Sequence, residues 1–220
     1  MSENPFPAVG GRCVCGQVSY RMETAPLFCH ACHCSDCQRR TGSAFAAFCV
    51  IEADRVTLTS KTAPITVIAP EPPMDKKSAA CPRCYTKLWD KSDEMGGVIS
   101  IKTGTLDMPG LMEPDLHIFI EAKVAWLQLP KDARTCKGYY DRNKEWPKSS
   151  LSRLEACMAK HKSEQDDANG QADRTPRAES PTETDEDEDE DTGKDLDEME
   201  RTLRERLERL TLKLNDQEKA

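Results

Sequence analysis

Aromatic side chains are scarce in this 220-residue chain: Phe, Tyr and Trp together make up 5% of it. So small a supply implies a thin core, and no dense basic patch interleaved with aromatics is visible, so nucleic acid is not an expected partner. Long apolar runs are missing too. No stretch approaches the roughly 18 consecutive apolar residues of a membrane span, and the first thirty residues hold no apolar run of signal-peptide length. The expectation is a soluble intracellular protein, cytoplasmic with the nucleus left open, and with no membrane partner. A repeat of solenoid period is also absent.

Charge is present in quantity and unevenly placed. Met1 to Lys162 carries 22 Lys+Arg against 18 Asp+Glu, and Ser163 to Ala220 carries 9 against 21, so the net values are +4 and −12. The acidity belongs to the tail, which includes an unbroken acidic run from Asp185 to Asp191. Such a composition cannot bury enough apolar surface to offset chain entropy, and residues 158–194 read as a disordered acidic linker. Beyond it, Leu196, Met199, Leu203, Leu207, Leu210 and Leu214 recur at helical spacing, which predicts an amphipathic helix over 195–215. A lone helix of that length is marginal in water, so self-association or a protein partner is expected there.

The front of the chain, 8–157, reads as one domain of short strands and turns. Residues 16–21, 45–51, 56–58, 65–68, 97–102 and 117–121 are rich in β-branched or aromatic residues and are punctuated by Pro, Gly and Asp. Helix is expected only for a turn or two after Cys34 and around Leu151 to Lys160. Short strands with few rings make a thin core, for which bound metal would substitute.

Cysteine is what the chain has in excess. Eleven cysteines, an odd number without an export signal, point to reduced thiols, and clustered reduced thiols point to metal. Cys13 and Cys15 flank one residue and lead into a strand, so both thiols face one point; Cys81-Pro82-Arg83-Cys84 adds a CxxC turn. Together they suit a closed zinc site of four cysteines, with a redox CxxC or unrelated buried thiols as the alternatives. The stretch Cys29-His30-Ala31-Cys32-His33-Cys34-Ser35-Asp36-Cys37 differs. Cys32, Cys34 and Cys37 can converge on one zinc with no second CxxC to close the shell, which is what a catalytic or ligand-accepting zinc needs. The fourth place is open to water, an incoming thiol, Cys29, His30 or His33. Cys49, Cys136 and Cys157 read as core or surface thiols.

The segments Gly11 to Tyr20, Cys32 to Arg39, Thr41-Gly42-Ser43, Cys81 to Cys84, Ile101 to Asp107, Pro114 to Phe119 and Lys123 to Trp126 occur in the order that resembles the glutathione-dependent formaldehyde-activating enzyme family, also called the centromere-protein-V/GFA domain. The resemblance covers about residues 8–140. It implies a mainly β, Mss4-like, zinc-stabilised fold of several short coiled sheets. It implies structural zinc on Cys13, Cys15, Cys81 and Cys84, and a second zinc on Cys32, Cys34 and Cys37. The implied activity is addition of the glutathione thiol to formaldehyde, giving S-(hydroxymethyl)glutathione, a carbon–sulfur lyase reaction read backwards. Glutathione would be the co-substrate and a small aldehyde the partner, with Arg39, Arg40 and Lys102 as candidate carboxylate partners. His33 reads as a supporting or exposed residue, His117 as structural and Trp126 as core. Tyr85 departs from the pattern, since glycine is common after the second CxxC. A non-catalytic zinc module for protein interaction is the competing reading. A redox thiol, as in the methionine sulfoxide reductases of this fold class, is the third.

Overall fold

The computed structural model describes residues 6–69, 77–91, 96–170 and Arg201. The acidic run and the leucine stripe of the tail lie outside the described residues.

In chain order the elements are β1 (Val9–Arg12), β2 (Ser19–Met22), β3 (Phe28–Cys32), α1 (Ser35–Thr41), β4 (Ala46–Glu52), β5 (Val56–Leu58), β6 (Ile65–Ile68), β7 (Lys77–Ala80), β8 (Lys87–Lys91), β9 (Val98–Lys102), β10 (Leu116–Ile118), α2 (Arg142–Glu145) and α3 (Lys148–Gly170). Two sheets result, β1-β2-β5 and β10-β3-β4-β9-β8-β7-β6. The fold is mainly β, as the sequence implies. The strand pairs are antiparallel except β10, which runs parallel to β3.

The large sheet separates two cores because side chains alternate along its central strands. From β3 and β4, Cys29, Cys49 and Ile51 enter one core with Tyr20, Leu88, Trp89 and Ile101. Phe28, Cys32, Phe48 and Val50 enter the other with Leu116, Ile118, Tyr140, Trp146 and Leu154. The scarce rings are concentrated: Tyr20 meets Trp89 edge-on at 5.4 Å in the first core, and in the second Phe28 stacks on Trp146 at 5.5 Å and meets Tyr140 at 5.3 Å. Trp126 is not core: it is 73% exposed. The reason is local, since it stands in a turn region after β10 that packs against neither cluster.

α3 closes the second core, and it continues beyond the expected domain edge at 157 as far as Gly170. Two contacts explain the extension. Lys160 pairs with Asp54 at 2.8 Å, and His161 lies against Gly96, where a Cβ would collide with its ring. Gly97 is required at the same crossing: its φ is +79°, and a Cβ there would come within 2.8 Å of the Cys157 sulfur. Further up the helix, Arg153 clamps the end of β4. Its guanidinium donates to both carboxylate oxygens of buried Glu52, at 2.9 and 2.8 Å, and to the carbonyl of Ala25 at 3.1 Å.

Candidate metal centres

The first thiol group joins two turns. After β1 the chain folds back through Cys13, whose N–H donates to the carbonyl of Val18 while the Val18 N–H donates to the Cys13 sulfur at 3.3 Å. After β7 a second turn is closed by the N–H of Cys81 donating to the carbonyl of Thr86 and that of Tyr85 donating to the carbonyl of Cys81, both at 3.0 Å. The Thr86 hydroxyl ties the halves together: it accepts from the N–H of Val14 at 3.3 Å and donates to the Cys84 sulfur at 3.2 Å. That hydroxyl and the Thr86 N–H hold Cys84 down at about 5, far below an ordinary thiol.

The sulfurs of Cys13, Cys15, Cys81 and Cys84 all lie within 4.8 Å of one another. Four sulfurs bound tetrahedrally at about 2.3 Å stand about 3.8 Å apart, and the observed Cys13–Cys15 and Cys15–Cys81 separations are 3.5 and 3.8 Å. The donor set therefore fits zinc in a closed shell.

The second group is local in sequence. Cys32 ends β3, and Cys34 caps α1, its sulfur accepting from the N–H of Cys37 at 3.4 Å. Starting a helix at Cys34 turns the chain back on itself, which brings Cys37 round to the other two sulfurs. Cys32 and Cys34 are 3.4 Å apart, and the three sulfurs lie within 4.8 Å of one another. Among the described residues no fourth Cys, His, Asp or Glu joins them. Cys29 faces the opposite core, 3.7 Å from the sulfur of Cys49. His30 stacks on Phe48. His33 is fully buried, not exposed, and its Nε2 lies 3.0 Å from Nδ1 of His117. Burial first, then the neighbouring His117 and Lys123, depress His33 to about 4, so its ring is neutral at physiological pH. Gln38 locks this corner by donating to the carbonyls of His33 and Ala122 at 2.7 and 2.8 Å. The adjacent Cys37 sulfur, followed by burial, pushes the Cys32 thiol well up.

A cleft of about 500 Å3 begins where α1 ends and runs along β4 from Ala46, the cross-strand partner of Cys32. Arg40 and Lys102 both line it, together with Lys87, Asp90, Phe45 and Tyr85. Lys102 is held 2.6 Å from Asp90 and 4.2 Å above the ring of Phe48. Arg39 is not in the cleft; it is exposed and pairs with Asp36 at 3.8 Å. Lys87 and Thr86 escaped the sequence reading because their roles depend on the pairing of β8 with β7 and on the fold of the knuckle. Tyr85 carried a signal, as a bulky residue at a position where glycine is usual.

The chain matches the family model described as glutathione-dependent formaldehyde-activating enzyme over residues 8–122, more than half its length. A Talaromyces marneffei protein, provisionally named a glutathione-dependent formaldehyde-activating enzyme, is 27% identical over 124 residues, covering 53% of this chain and 64% of that one. The chain thus spans less than two thirds of that relative. A crystal structure of a Rhodobacter sphaeroides protein superposes with a TM-score of 0.35 at 17% identity, over 44% of this chain and 87% of that one, which is too loose to carry an argument.

Proposed function

Because the chain belongs to the glutathione-dependent formaldehyde-activating enzyme family, we propose that it joins the thiol of glutathione, or of a closely related peptide thiol, to formaldehyde or another small aldehyde. The supporting observation is a three-sulfur group without a fourth protein donor among the described residues, next to a cleft that holds three cations and one carboxylate. A closed shell would serve folding alone. An open one has room for the sulfur of a substrate.

Cys32, Cys34 and Cys37 are the residues that would hold a zinc ion. When bound, zinc would favour the thiolate of an incoming thiol over the thiol, whose ordinary pKa is about 8.5. Arg40 and Lys102 bind the carboxylates of the peptide and so fix where its sulfur lies. Arg39, outside the cleft, contributes only to the field that draws an anion toward it. His33 is a spacer between the turn after β3 and β10; a neutral ring closed off from water is a poor proton carrier at pH 7. The thiol proton therefore leaves to solvent, a carbon–sulfur bond forms at the aldehyde carbon, and a proton from water ends on the aldehyde oxygen. Nothing is oxidised or reduced, and the reverse is a carbon–sulfur lyase step.

Cobalt-substituted protein tests this. Glutathione should alter the sulfur-to-metal charge-transfer absorption and S-methylglutathione should not; Cys32→Ser should abolish the response. Exchange spectroscopy on glutathione and formaldehyde should show faster adduct formation with wild type than with Cys32→Ser. Absence of both effects would leave a non-catalytic zinc module as the better reading.

A further inference from the structure

We propose that Tyr85 is a specificity-determining contact residue of the cation-lined cleft, its ring taking up the planar peptide groups of a thiol substrate. This rests on the reading of the cleft as the site of the thiol's carboxylates.

The argument starts from backbone strain. Tyr85 has φ of +56°, in the left-handed region that costs a bulky L-residue free energy and costs glycine none. The conformation is imposed from outside: the chain must turn back between Cys84 and Thr86, and the Tyr85 N–H is fixed on the carbonyl of Cys81. Metal-site geometry thus explains the angle but not the ring. Among the described residues one other non-glycine shares this region, Phe119 at +55°. Its ring packs against the second core and meets Tyr139, so packing accounts for it. Packing does not account for Tyr85, which is 68% exposed and belongs to neither core.

Tyr85 does line the cleft. Arg40, Lys87 and Lys102 give that cleft an excess of positive charge over its single carboxylate, Asp90, and Phe45 and Tyr85 give it apolar surface. A ligand suited to both is an anion with flat, weakly polar groups between its charges, and a peptide thiol has that form. Tyrosine presents a large amphipathic face at the cost of ordering two side-chain torsions, which makes it effective in such a role. Free cysteine carries a carboxylate and a thiol but no peptide group, so it would gain nothing from the ring.

The test uses the zinc-loaded full chain and titration calorimetry with glutathione and with free cysteine. Tyr85→Gly should melt higher than wild type, because left-handed strain is relieved, yet bind glutathione about tenfold more weakly, the loss expected for one ring contact. Its affinity for cysteine should not change. Tyr85→Phe should bind glutathione as wild type does. Equal glutathione affinity in wild type and Tyr85→Gly overturns the inference alone, as does a parallel loss for both thiols. Failure of wild type to bind glutathione overturns the reading of the cleft and this inference with it.

Discussion

Thr86 contributes no ligand to the first thiol group, yet one hydroxyl there serves both halves of it, accepting from Val14 and donating to Cys84. Groups that orient metal ligands commonly change affinity by about 10–100-fold when removed. Thr86→Val keeps the shape and deletes both bonds. In competition with a chromophoric chelator it should release one zinc per chain at a lower chelator concentration, while the other zinc is retained as in wild type. Release of both at unchanged concentration would mean that the cysteines alone set the affinity. The two thiol groups themselves were legible from spacing, because C-x-C and C-x-x-C constrain local backbone. Their second layer was not, since Thr86 and Gln38 act through partners 72 and 84 residues away.

Among the elements, α3 is tied to β4 by a buried clamp, in addition to its packing in the second core and its Lys160–Asp54 pair. Glu52 is almost fully buried, and Arg153 neutralises it. Removing the cation strands a buried carboxylate, which costs about 3–5 kcal/mol. Arg153→Met should therefore lower stability by that order in denaturant unfolding, and adding Glu52→Gln should recover much of the loss. If the single and double variants unfold alike, the pair is not what seats the helix. Strands were legible where β-branched residues dominate: 56–58 and 65–68 match β5 and β6 in full. β1, β3, β7 and β8 were missed. Phe28-Cys29-His30-Ala31-Cys32 reads as a ligand cluster, and Lys87 and Lys91 disguise Leu88 and Trp89 as surface, although both are buried by cross-strand neighbours. The helix beyond Lys160 was missed for a related reason: a polar composition gives no hint that Gly96 leaves room for His161.

For the whole molecule, the thiol groups fall on opposite faces of the large sheet. Cys13 and Cys81 belong to one core, Cys32 and Cys37 to the other. Metal loss should therefore occur in two separable stages. Chelator should first withdraw the three-sulfur zinc with the far-ultraviolet circular dichroism and the melting transition retained, and withdraw the second only as the β signal collapses. One concerted step, with zinc release and unfolding superimposed, would show that both centres hold the same core together.

The two centres also have different histories during synthesis. Cys32, Cys34 and Cys37 are separated by a few residues, so they can gather around an ion almost as soon as they leave the ribosome. Cys15 and Cys81 are 66 residues apart, and β2 through β7 must emerge before they can meet. Closing the longer loop costs more entropy and takes longer. The three-sulfur group can thus assemble early in the nascent chain, whereas the four-sulfur group waits on the strands that lie between its halves.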